Sequence, residues 1–306
     1  MTTQIVSLKK RHLKQEGKGY TVFTAFNTVF LLLVIFITAY PVYYVVVSSL
    51  SDATAMTKYN TALFWPLPPA SLTAYELVFR NSLVLSGYKN TIVILVLGLL
   101  VNMTMTVVGA YCLSLKHAML MKPVSLLILF TMYFNGGMIP NYILIRDLGL
   151  IDSVWSLVLP GAISTYNQLV MRSAFSGVPD SLHEAAYLDG ASHPRILVSV
   201  YLPLSQATLA VILLYYAVGH WNSWFNASLY IRTPEKYPLQ LVLRQILILN
   251  ENTNLNATMT DNGDQALYAN QIKYALIVVS TLPILILYPF LQKFFDKGVM
   301  IGALKE

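Results

Sequence analysis

The stretch richest in chemical possibilities runs from Val178 to Ser205 and reads VPDSLHEAAYLDGASHPRILVSVYLPLS. Ser181 and Glu184 stand at the S-x-x-E spacing of a capping box, Pro179 and Asp180 precede them, and Gly190 supplies a terminator. A short helix over about Ser181 to Asp189 is therefore expected. On it Leu182, Ala185 and Ala186 fall at i, i+3 and i+4, which makes a small apolar face. Alanine allows close approach, so the face suits docking by another protein. An interfacial helix resting on lipid headgroups fits as well, although the Lys and Arg that favour such helices are missing from it. Spacing alone leaves both readings open.

A second group lies in GHWNSWFNASLYI, Gly219 to Ile231. Trp221, Asn222, Trp224, Phe225 and Asn226 combine rings that can stack on sugar C–H faces with amides that can bind hydroxyls. An aromatic belt at a membrane interface would have the same composition. Asn135, Tyr133, Tyr166 and Gln168 are weaker candidates of the same kind, and Asn102 reads equally as interhelical glue. Other chemistries find little support. Cys112 is the single cysteine, and His12, His117, His183, His193 and His220 are scattered without metal-ligand spacing or a nucleophile motif. No G-x-x-x-x-G-K-[ST] phosphate loop occurs, since Gly17-Lys18-Gly19 lacks the spacing. The chain is thus expected to bind neither metal nor ATP and to be no enzyme.

The elements that position these residues must lie in lipid. Of 306 residues 56% are hydrophobic and 11% charged, against about 25% charged in soluble domains. Charges are absent from Gly19 to Ser51, Asn90 to Leu115, Pro123 to Ile145, Ser153 to Met171, Ile196 to Ile231 and Tyr274 to Gln292. Each window can cross ~30 Å of hydrocarbon as a helix rising ~1.5 Å per residue. The expected architecture is all-α, with six transmembrane helices at about 22–49, 90–112, 123–138, 153–172, 196–218 and 272–291. A cytoplasmic loop at 173–195 and an outer loop at 219–271 complete one transmembrane domain over 1–306.

Basic residues set the orientation. Twelve of the 20, namely Lys9, Lys10, Arg11, Lys14, Lys18, Lys116, Lys122, Arg172, Arg195, Lys293, Lys297 and Lys305, fall on one side if both termini are cytoplasmic. The net charge of +6 then meets anionic lipid, not nucleic acid. The run KKRHLK precedes an apolar stretch without a small-residue cleavage site and reads as the flank of a retained first span.

Glu184-Ala185-Ala186, Asp189-Gly190-Ala191 and Leu202-Pro203-Leu204, at their spacing, resemble the EAA loop of bacterial ABC importer permeases. PNYILIRDLGLID, HWNSWFN and the terminal GVMIGALKE are similar to the same group. Within it the maltose-type carbohydrate permeases are nearest, in particular the oligosaccharide and polysaccharide branch with GG-x-IP-x-Y after the third span. The resemblance implies a MetI-like fold and a coupling helix in which Leu182, Glu184, Ala185, Ala186, Asp189 and Gly190 dock in a groove of an ATPase subunit. It also implies a second homologous permease as heterodimer partner, two ATPase subunits that use ATP and Mg, and an external solute-binding protein. One departure is that many members have proline shortly after LPLS, where this chain has Gln206 and Ala207. The rival is an ion-coupled carrier or channel, which the absence of charged residues inside the spans disfavours.

Overall fold

The computed structural model describes residues 18–58, 64–115, 121–257 and 271–286. The run KKRHLK, Lys116, the outer segment 258–270, Pro289 and GVMIGALKE lie outside the described residues. Every regular element among the described residues is helical. The first helix, α1, is Lys18–Leu50 and keeps Pro41 inside it. Residues 19–39 are exposed along its whole circumference, and only Val47, Ser48 and Ser49 near its end are buried.

The spine is α2, Ser82–Ser114, whose 33 residues reach about 50 Å at ~1.5 Å each. It starts before the expected Asn90 because Asn81 caps it, with its side-chain oxygen accepting the Leu83 N–H at 3.0 Å. Lys89, whose charge bounded the apolar window, is exposed, so it imposes no break. The buried stripe of α2, Val84, Gly87, Thr91, Ile94, Gly98, Asn102, Thr106 and Ala110, repeats every three or four residues. Apart from Val84 and Ile94, its residues are small or polar. In lipid, burying more apolar surface gains little, so close backbone approach and hydrogen bonds hold the helices together.

Three expected spans are broken. The third ends at Tyr133, five residues before the expected Met138, because α3 (Met121–Tyr133) and α4 (Met138–Asp147) meet at 112°. The break is at Asn135-Gly136-Gly137, where Gly137 has φ +93 and its N–H donates to the Asn135 side chain at 2.9 Å. The fourth, expected as one helix over 153–172, is a turn at Trp155–Val158 followed by α5 at Thr165–Ser176, with Pro160 and Gly161 in the gap.

The fifth was expected over 196–218. A helical arm over 193–204 instead meets α7 (Gln206–Trp221) at 90°. Pro203 has no N–H to donate to the preceding turn, and the residues before it are widened into a π-helix, Leu197–Tyr201. Gln206 and Ala207 open the helix that follows the right-angle bend. Between α5 and this arm lies α6, Asp180–Leu188. Past α7 come a turn at Phe225–Tyr230, then α8, Leu239–Ala257, then α9, Gln271–Ile286. Among its described residues, the region expected as an outer loop is therefore largely helical, and α8 takes in the start of the polar run, 251–257.

Candidate functional site

Helix α6 begins one residue earlier than the capping-box reading requires. Its N-cap is Pro179, no side chain caps it, and Ser181 falls inside the first turn. The S-x-x-E pair is thus no capping box here; Asp180 places its negative charge at the positive end of the helix dipole instead. The C-terminus is as expected and better built. Gly190, at φ +79, donates to the Tyr187 carbonyl at 3.0 Å, and Ala191 donates to Ala186 at 3.0 Å. This pair of bonds is a Schellman motif, and the left-handed backbone explains why glycine stands there.

The expected apolar face is split by this geometry. Leu182 is 44% exposed and Ala185 is exposed, whereas Ala186 is half-buried against the core. Leu188, 86% exposed, continues the outward face at i+3 from Ala185, a position the spacing argument passed over. Glu184, Asp189 and Gly190 are exposed as well. His183 is the inward residue of the first turn, its Nδ1 lying 3.3 Å from the Tyr201 hydroxyl. The arrangement is a short stiff rod, fixed on one side and bare on the other.

Of the residues singled out for a substrate path, Trp221, Asn222, Trp224 and Asn135 have separate surroundings. Trp221 is buried, donates its indole N–H to the Ser280 carbonyl at 3.2 Å, and meets Tyr88 edge-to-face. Trp224 is half-buried under the Arg244 guanidinium, 3.6 Å above the ring. Asn222 is exposed where α7 ends, and Asn135 is exposed and caps the Gly137 turn.

A cavity of about 460 Å³ opens elsewhere, between the gap before α5 and the last turns of α7. Its walls include Ser164, Tyr166, Asn167, Tyr215, His220, Ser223 and Asn226. Of these, Tyr166 and Asn226 carried a sequence signal; the others become legible only once the fourth span is seen to break. The Tyr166 and Tyr215 rings lie 6.5 Å apart, both about half exposed.

The gap itself is held by α2 and α7. Asn102 donates to the carbonyls of Gly161 and Ala162 at 2.6 and 3.0 Å, and its oxygen meets His220 Nε2 at 2.6 Å. The Ser164 N–H donates to the Tyr216 hydroxyl at 2.9 Å, which also meets Thr106 at 2.7 Å. Unpaired backbone groups in lipid cost several kcal/mol each, so an unwound span persists only where such partners exist or where it borders a cavity. Here both conditions hold.

On a loop between α4 and α5, Asp152 ties two connections together. Its carboxylate accepts from Lys236 and the Thr233 hydroxyl at 2.7 Å and from the Arg232 and Thr233 N–H groups at 3.0 Å. The Lys236 ammonium, followed by the Thr233 bonds, holds the Asp152 carboxyl well below the usual carboxylate range.

Broken apolar helices around a neutral cavity of rings, hydroxyls and amides, with a bare rod at one loop, define a subunit of a membrane transporter. No family model matches the chain. It is 39% identical over 297 residues to Protein LplC of Bacillus subtilis (strain 168), covering 96% of this chain and 98% of that one. It is 38% identical over 236 residues to the polygalacturonan/rhamnogalacturonan transport system permease protein YtcP of the same organism, covering 77% and 82%. Among solved structures, a chain of a bacterial ABC transporter involved in the import of the acidic polysaccharide alginate superposes with a TM-score of 0.81 at 32% identity, covering 91% of this chain and 98% of that chain. The chain belongs to the ABC importer permeases of the carbohydrate-uptake family and works in the bacterial cytoplasmic membrane. This membership decides against the ion-coupled carrier or channel.

Proposed function

We propose that the chain lines half of the translocation path for an oligosaccharide or polysaccharide fragment, and that α6 is the helix through which partner ATPase subunits drive it. The path is completed by a second, homologous permease in a heterodimer. Two ATPase subunits hold ATP and Mg, this chain holds neither, and an external solute-binding protein delivers the sugar. The chain crosses the membrane six times with both termini in the cytoplasm, each bent helix pair serving as part of one crossing. Substrate passes the cavity beside α5 and α7, where Tyr166 and Tyr215 offer ring faces and Asn167, Ser164, Ser223 and Asn226 offer hydrogen bonds.

The observation that carries this reading is the bare face of α6. Leu182, Ala185 and Leu188 point away from the chain's own core next to Glu184, and such a face needs an occupant. Relatives' names support the substrate class: one transports polygalacturonan or rhamnogalacturonan, and the similar structure imports alginate.

Replacing Glu184 with Arg, or Gly190 with Val, is expected to lower sugar uptake and transport-coupled ATP hydrolysis together. The first reverses the charge at the docking face, and the second forces a β-branched residue into φ +79. Uptake of radiolabelled oligogalacturonate into cells that carry the full transporter measures the effect, and undiminished uptake in both variants would refute the assignment of α6.

A further inference from the structure

None of the residues of α6 is fully buried; its inward side rests on His183 and Ala186, and Tyr187 is in ring contact with His193 at 6.3 Å. What these meet is not a generic apolar floor. Tyr201 is 5% exposed and stands edge-to-face to three rings: Tyr111 of α2 at 5.0 Å, Phe175 of α5 at 5.4 Å and His183 of α6 at 5.9 Å. A second histidine, His193 at the start of the arm, lies 5.9 Å from His183 and 3.1 Å, Nδ1 to hydroxyl, from Tyr111. Tyr201 closes the π-helical segment immediately before the Pro203 turn and the right-angle bend into α7.

One tyrosine thus touches a ring on the docking helix, one on the spine and one on the helix that borders the cavity, while sitting at the irregular point of the arm. We propose that the paired contacts His183–Tyr201 and His193–Tyr111 are the joint that passes movement of α6 to α5 and α7. They are positioning residues and touch no substrate. The physical ground is stiffness: edge-to-face rings locked by hydrogen bonds have few alternative arrangements, so a displacement of α6 is carried into the bundle without being lost in side-chain rearrangement. The polar ends matter because ring packing alone lets α6 rotate about its own axis. The proposal rests on α6 docking to an ATPase subunit and says what happens after docking.

The test separates the two. With Cys112 replaced by Ala, Ser223→Cys places a single thiol in the cavity and, in a separate protein, Ser181→Cys places one on the exposed side of α6. Both are studied in the whole transporter, purified through a tag on this chain and set in lipid nanodiscs. A water-soluble methanethiosulfonate reagent reads cavity access at Ser223→Cys with and without ATP and vanadate. A thiol-to-amine cross-linker reads docking at Ser181→Cys.

Tyr201→Phe removes one hydroxyl and keeps the ring; His183→Ala removes the ring contact, and His183→Gln restores a hydrogen-bonding group. The nucleotide-driven change in cavity access is expected to shrink several-fold in Tyr201→Phe and His183→Ala and to recover in part in His183→Gln, with the cross-link kept throughout. A full change in access in both variants overturns the joint. So does loss of the cross-link in them, which would make His183 and Tyr201 part of docking itself. No cross-link even with both residues intact would refute docking, and the joint with it.

Discussion

At the scale of single residues, the contact between α2 and α7 is decided by what is missing from Gly98. A Cβ built there would stand 2.3 Å from the His220 Nε2, a clash, and that ring must lie so close to reach Asn102 at 2.6 Å. Asn102 in turn satisfies two carbonyls of the unwound fourth span. Gly98→Ala is therefore expected to lower the thermal midpoint of the purified transporter. In a His220→Ala background it should cost much less, because the clash partner has gone. A double-mutant cycle with additive midpoints would show that the two do not meet. Asn102→Ala should destabilise by about 1–3 kcal/mol for each carbonyl left unpaired. Legibility at this scale was uneven. Asn102 read as glue between helices, and so it is. Trp221, a candidate for either a sugar path or an interfacial belt, is a core residue, because a ring type says nothing of which way a helix is turned.

At the scale of elements, the sequence marked where helices lie far better than where they bend. The expected ends of the first, second and fifth spans, 49, 112 and 218, lie close to the last residues of α1, α2 and α7, Leu50, Ser114 and Trp221, whereas α2 starts at Ser82 instead of 90 and α7 at Gln206 instead of 196. Breaks leave fainter marks. The break at Asn135-Gly136-Gly137 has a mark in the sequence, its two glycines, one of which takes φ +93. Pro160 is no such mark, because proline inside a span is common in lipid, and what turns it into a break is a partner 58 residues away, Asn102, which sequence spacing does not pair with it. Helix α6 was legible at its Gly190 end and misread at its start, where Pro179 stands as the N-cap, earlier than the Ser-Glu pair suggests.

The Asp152 tie makes a pH-dependent claim at this scale. Its carboxyl lies below the model-compound value of 3.8, so the folded loop favours the charged form. The stabilisation is then fully present above the ordinary value and is lost as pH falls through the lowered one. Asp152→Asn should unfold at lower temperature than the parent by a constant margin above about pH 5. That margin should narrow below about pH 4, where the unfolded parent takes up the proton first. Thermal scans of both proteins across that range check it, and a margin that does not narrow on acidification removes the carboxylate from the account.

For the whole molecule, the decisive question is which ends share a compartment. Positive charge is the only strong asymmetry along the chain: twelve of 20 basic residues, including Lys9 to Lys18, Arg172 and Arg195, collect on one side if the crossings alternate six times. Carrying such clusters across the bilayer against their attraction to the anionic inner leaflet is unfavourable at every residue, at about 1 kcal/mol per basic group near the surface. The same alternation would put α6 in the cytoplasm and the Leu148 turn, just beyond α4, outside, although Ser181 and Leu148 are both exposed. With Cys112 replaced by Ala, Leu148→Cys should react with a membrane-impermeant maleimide on intact cells, and Ser181→Cys should react only in inverted vesicles. Because α3 and α4 meet at 112°, the pair could instead enter and leave by one face, which would bring Leu148 to the same side as Ser181. Labelling of both thiols in the same preparation would then overturn the six-crossing topology, and with it the link between a cytoplasmic motor and a cavity that sugar enters from outside.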